Sequence, residues 1–221
     1  MQRSTGNRNT QNSTLLSFLV LSILFASGAI AEVTGIDVVS RGALPGDRSY
    51  GLAGAYEKLA GKIYFEVDPD NPANQIIVDI DRARVNADGR VEFSADFFLI
   101  KPKDITRGNG TLLFGTSNRG SKRLLTFFNH AKAEGRKWDE PDLSTETNLG
   151  DGFLMRSGFT LLWVGWQFDP PMNGENLRAY LPAAGGDDQP IEGLVRSDFV
   201  VTEKVFDFTL GDRNHIPYLA T

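Results

Sequence analysis

The sequence predicts an α/β chain: a strand–helix–strand core, preceded by an antiparallel β region and followed by a β-rich extension. Three observations predict it. Apolar and polar residues alternate through much of the first hundred positions, with turn clusters between the runs. Two continuous apolar runs follow, Thr111 to Phe114 and Phe159 to Trp166. Between them lies a stripe of helical spacing through Leu124, Leu125, Phe128 and Ala131.

The amino-terminal segment stands apart. Arg3 and Arg8 are the only charges before Glu32, Leu15 to Phe25 is apolar, and Ala29-Ile30-Ala31 ends the segment with small residues. This layout predicts a secretory signal peptide over residues 1–31, cleaved after Ala31. The plainer alternative is an uncleaved anchor, but the apolar run is short of the about 20 residues a span needs. The expectation is an exported protein, periplasmic or secreted, with no stable membrane insertion once the signal is removed.

Composition narrows the chemistry. The 221 residues carry a net charge of −5, and the leader holds two Arg and no acid, so the remainder is near −7. That balance argues against nucleic acid or an anionic membrane as partner. With no cysteine in the chain, thiol catalysis and Cys-ligated zinc are excluded. No cofactor is expected.

Element by element, residues 33 to 41 read as a first strand, and "LPGDRSYGLAGAY" as a Gly-rich connection. Leu59 to Val67 alternates around Ile63, Phe65 and Val67. Asp68 to Asn74 is a turn cluster, and Ile76, Val78 and Ile80 give a second alternation. Asn86 to Gly89 is a hairpin-type turn before a third strand from Val91 to Ile100. Thr111 to Phe114 and Phe159 to Trp166 suit strands covered on both faces. Ser121 is the expected cap of a helix running to Gly135, and Asp151 to Arg156 reads as a short helix. The domain reading is 32–102 antiparallel β, 103–169 strand–helix–strand core and 170–221 β-rich extension.

Ser117 is the first chemical candidate, because it follows an apolar strand and has Gly115 two positions before it. A nucleophile elbow also wants glycine two positions after, where Arg119 stands. A base is needed too, itself oriented by a third group. His130 sits too far along the expected helix, at ~1.5 Å per residue, to reach back to Ser117. His215, with Asp212 three residues before it, completes a triad only through a fold the sequence does not reveal. A metal site is not expected. Asp68, Asp70, Asp79 and Asp81 miss the calcium-loop spacing and read as turn residues. The aromatic residues Phe159, Trp163, Trp166 and Phe168 either line a cleft or pack a central strand. Trp166, Gln167 and Asp169 lie near the carboxyl end of their strand, where α/β sheets build sites.

"GTLLFGTSNRGSK" and "GDGFLMRSGFTLLWVGWQFD", with the upstream stretch from Gly54 to Pro102, resemble a family of large exported bacterial proteins described as alpha/beta hydrolase domain-containing. The resemblance implies the beginning of an α/β-hydrolase sheet and a reaction on a small-molecule ester or amide. It implies that Thr116 to Gly120 is the oxyanion loop, with the amides of Ser117 and Asn118 as donors. Arg119 is either a carboxylate anchor or a structural clamp. The family's Ser, acid and His would lie further on, and no Gly-x-Ser-x-Gly occurs in these residues. The expectation is therefore the amino-terminal, truncated part of a hydrolase, inactive alone, with Phe159 to Trp166 left as an unpaired apolar edge. The competing reading is a non-enzymatic exported β-rich binding or assembly module.

Overall fold

The structure is a computed structural model that describes residues 31–132, 143, 145–170, 176–185, 191, 194 and 200–204. The expected signal segment through Ile30, the end of the expected helix at Gly135, and most of the β-like tail lie outside the described residues.

One mixed sheet of six strands organises these residues. β1 (Glu32–Ala43), β2 (Tyr56–Val67) and β3 (Val91–Pro102) form an antiparallel meander. β4 (Leu112–Thr116) pairs parallel with β5 (Thr160–Val164), β5 pairs antiparallel with β3, and β6 (Ala179–Tyr180) also pairs with β3. The strand order is β1-β2-β3-β5-β4. β2 and β3 stay in register from Tyr56 opposite Pro102 to Val67 opposite Val91. The turn Asn86–Gly89 sets the start of β3. Asn86 Oδ1 accepts from the amides of Asp88 and Arg90 at 3.0 and 2.9 Å, and Gly89 supplies φ 74°.

The expected fold class does not hold. The described residues contain two α-helices, α1 (Leu124–Phe128) and α2 (Phe153–Arg156), of five and four residues. These do not make the helical layers of an α/β-hydrolase sheet, and the chain is β-rich instead. Asn129 explains why α1 stops early. It is fully buried, donates to the Leu149 carbonyl at 3.1 Å and accepts from the Leu154 amide at 2.9 Å. Those bonds tie the start of α2 to the end of α1, and His130 at φ 52° turns the chain away. Ser121 is not the cap. Its hydroxyl donates to the Asn118 carbonyl at 2.8 Å, and Arg123 occupies the N-cap without a side-chain bond.

Three other expectations are corrected. Ile76, Val78 and Ile80 are not a strand: Ile76 and Val78 are 86% and 84% exposed, and the segment folds into tight turns around Asp79 at φ 56°. They could not pair with β2, the strand that precedes them, because β1 and β3 already flank it. The run from Thr111 is not covered on both faces: Leu112 and Phe114, on one face of β4, are about half exposed, and β4 is the last strand of the sheet among the described residues. Conversely, β5 is not an open edge, since β3 and β4 flank it.

The main core lies where α1 and α2 meet the sheet, around Tyr56, Ile100, Leu125, Leu154, Met155, Leu161 and Trp163. Burying each large apolar side chain contributes roughly 1.5–3 kcal/mol. Tyr56 also locks α2 to β2: its hydroxyl shares its one proton between the carbonyls of Met155 and Phe159, both at 3.0 Å. Burial pushes this phenol up to about 12.

Candidate functional site at the carboxyl ends of β4 and β5

Parallel pairing brings the carboxyl ends of β4 and β5 side by side, with Thr116 opposite Val164. The loops that leave them, Ser117 to Gly120 and Gly165 to Asp169, are therefore neighbours. Trp166 Nε1 donates to the Ser117 carbonyl. The Arg119 amide donates to Gln167 Oε1 at 2.6 Å, and the Arg119 guanidinium pairs with Asp169. Three side chains of the second loop thus hold the first.

Two glycines allow this closeness. A Cβ on Gly115 would stand 2.5 Å from Trp163 Nε1. A Cβ on Gly120 would stand 2.5 Å from the Leu177 amide nitrogen, and Gly120 adopts φ 82°. Only glycine fits that second position without strain. The Gly120 carbonyl then accepts from the Leu177 amide at 3.0 Å, which fastens the loop to the 176–180 segment.

Ser117 is not presented for attack. It is fully buried, and its hydroxyl faces the Val164 carbonyl at 3.5 Å. His130 is exposed beyond the end of α1. His215 and Asp212, the other members of the weak triad with Ser117, lie outside the described residues. Asn118 is exposed, and its amide has no acceptor among the described residues, whereas its carbonyl accepts from Ser121. The loop is thus a clamped turn offering a backbone donor at its tip. Arg119 is engaged as a clamp with Asp169, the more buried partner of the pair.

Among the described residues no group of three or more acids or histidines is placed to hold a metal ion, and no helix is long and apolar enough to cross a membrane. The roles of Leu177 and Arg178 went unread in the sequence. The one available signal was a lone arginine in "NLRAYLP", between Leu177 and Ala179, both of which are buried. No family model, curated protein or solved structure matches the chain.

Proposed function

We propose that this chain is the scaffold part of an exported ester or amide hydrolase, inactive alone, whose loop 116–120 supplies a backbone donor to the oxyanion. The observation that supports this reading is the clamped loop at the joint carboxyl end of β4 and β5, with the Asn118 amide at its tip. A donor held rigid before the reaction stabilises developing charge without reorganising, which is what an oxyanion site needs. The burial of Ser117 and the lack of a Gly-x-Ser-x-Gly in these residues support the inactive-alone part of this reading. Nucleophile and base would come from residues beyond these 221.

The test is to read the in-frame codons past Thr221, express the whole product and measure p-nitrophenyl acetate hydrolysis. Asn118→Pro removes the amide and should lower kcat by roughly 10²–10³. Asn118→Ala keeps the amide and should leave kcat near wild type. A fluorophosphonate probe should leave Ser117 unlabelled. A labelled Ser117, or a whole product with no labelled serine, overturns the proposal.

A second reading, an exported β-rich assembly module, is favoured by the sheet edges. β1 leaves Val33, Ile36, Val38 and Val39 at least half exposed, and β4 does the same with Leu112 and Phe114. Such edges pair readily with other chains. A whole product without fluorophosphonate reactivity that forms a defined oligomer would support this reading.

A further inference from the structure

We propose that a small oxyanion, a carboxylate or a phosphate, binds on Arg178 in the hollow between β2, β3 and the 176–180 segment. This inference is independent of the hydrolase reading. The hollow encloses about 420 Å³, and Ser40, Lys62, Asp96, Asn176, Arg178 and Tyr180 supply its polar lining. Arg178 is 5% exposed, and its Nε and Nη1 are buried with no hydrogen-bond partner among the described residues. A guanidinium stays charged at any ordinary pH, so it cannot escape burial by losing a proton. Leaving such a charge buried and unpaired is costly.

The acid in the hollow does not serve it. Asp96 Oδ1 accepts from Lys62 Nζ at 3.0 Å. Its Oδ2 accepts from the Arg178 backbone amide and from the Tyr180 hydroxyl, both at 3.1 Å. Lys62 also lies 3.4 Å from the centroid of the Tyr180 ring. Asp96 is thus saturated by a lysine, a phenol and a main-chain amide, none of them the guanidinium. Lys62, Arg178 and Asp96, two cations and one carboxylate, are the charged residues that line the hollow among the described residues. The local balance is one positive charge in excess, which matches one anion.

The backbone of Arg178 is fixed in advance. Its carbonyl accepts from the Asp96 amide at 2.8 Å, and the Asp96 carbonyl accepts from the Gly165 amide at 2.8 Å. A Cβ on Gly165 would meet Arg178 backbone atoms at 2.5 Å, so the two chains touch there because position 165 is glycine. A residue locked from both sides whose Nε and Nη1 still lack acceptors among the described residues is preorganised for an incoming one.

Melting the full chain in sodium acetate and in inorganic phosphate, each against sodium chloride at equal ionic strength, tests the site. Tm should rise with the logarithm of anion concentration in at least one of the two, beyond any chloride effect. A response to acetate alone identifies a carboxylate ligand, and one to phosphate alone a phosphoryl ligand. Arg178→Met should abolish the response and melt in chloride no lower than wild type, because it replaces an unpaired buried charge with an apolar chain. Arg178→Lys should fold and respond more weakly. The proposal is overturned by equal melting in all three salts, by a response that survives in Arg178→Met, or by a Tm of Arg178→Met in chloride below wild type. That last result would mean the guanidinium already has its partner.

Discussion

The Arg119 guanidinium pairs with the Asp169 carboxylate across the ends of two parallel strands, while the Arg119 backbone sits at φ 57°. One residue therefore gains an ion pair and bears left-handed strain. The pair is partly exposed, with 35% of the arginine side chain accessible, so it contributes at most about 1 kcal/mol. The left-handed region costs a non-glycine residue roughly 1–2 kcal/mol. Arg119→Gly should then lie close to wild type, and Arg119→Ala, which loses the pair and keeps the strain, about 1 kcal/mol below Arg119→Gly. Urea unfolding of the three proteins measures this. Equal midpoints for Ala and Gly would show that the loop does not hold the left-handed turn.

How far the sequence revealed this molecule depended on how local the signal was. The turn at Asn86–Gly89 was legible because its device is contained in five residues: an Asn side chain that accepts from the amides of Asp88 and Arg90 and a Gly that takes positive φ. The loop at Ser117 was placed after a strand for the same reason. Ile76 to Ile80 misled because alternation reports only that a strand would suit the side chains, and pairing depends on a partner strand elsewhere. The helical stripe through Ala131 misled because one buried Asn129 makes bonds to Leu149 and Leu154, twenty or more positions away. Arg178 was invisible for a related reason, since its burial comes from contacts with β3 and Gly165 that no local pattern encodes.

Glu57 carries the clearest pH dependence. Its side chain is 7% exposed and pairs with Arg41 at 2.7 Å and Lys101 at 2.6 Å. The hydrogen bond from Arg41, helped by Lys101 and opposed by burial, holds its carboxyl below the usual range. Above the unfolded value of about 4.3 both states are ionised, and the stabilisation is full. As pH falls through that value the unfolded chain binds the proton first. Stability then declines until the folded carboxyl also titrates. Glu57→Gln should cost about 1–3 kcal/mol at pH 7 and show a flatter loss toward pH 3. Urea midpoints across that range check it, and parallel curves for the two proteins would contradict it.

The open edge of β4 leads to a prediction about association. Leu112 and Phe114 are each about half exposed on the last strand of the sheet, whose outer backbone groups have no neighbouring strand among the described residues. An exposed apolar edge is a template for pairing with another chain. Charged residues, lysine above all, are the usual means by which proteins blunt such an edge. Phe114→Lys places a charge there without reaching the main core, because Phe114 lies outside the cluster around Trp163. Folding stability should therefore change by about 1 kcal/mol or less. The wild-type chain should show molecular weight rising with concentration in light scattering, and Phe114→Lys should shift toward monomer. If wild type stays monomeric as it is concentrated, or Phe114→Lys associates just as strongly, β4 does not drive self-association. In the second case β1, with Ile36 60% and Val39 79% exposed, is the edge to charge next.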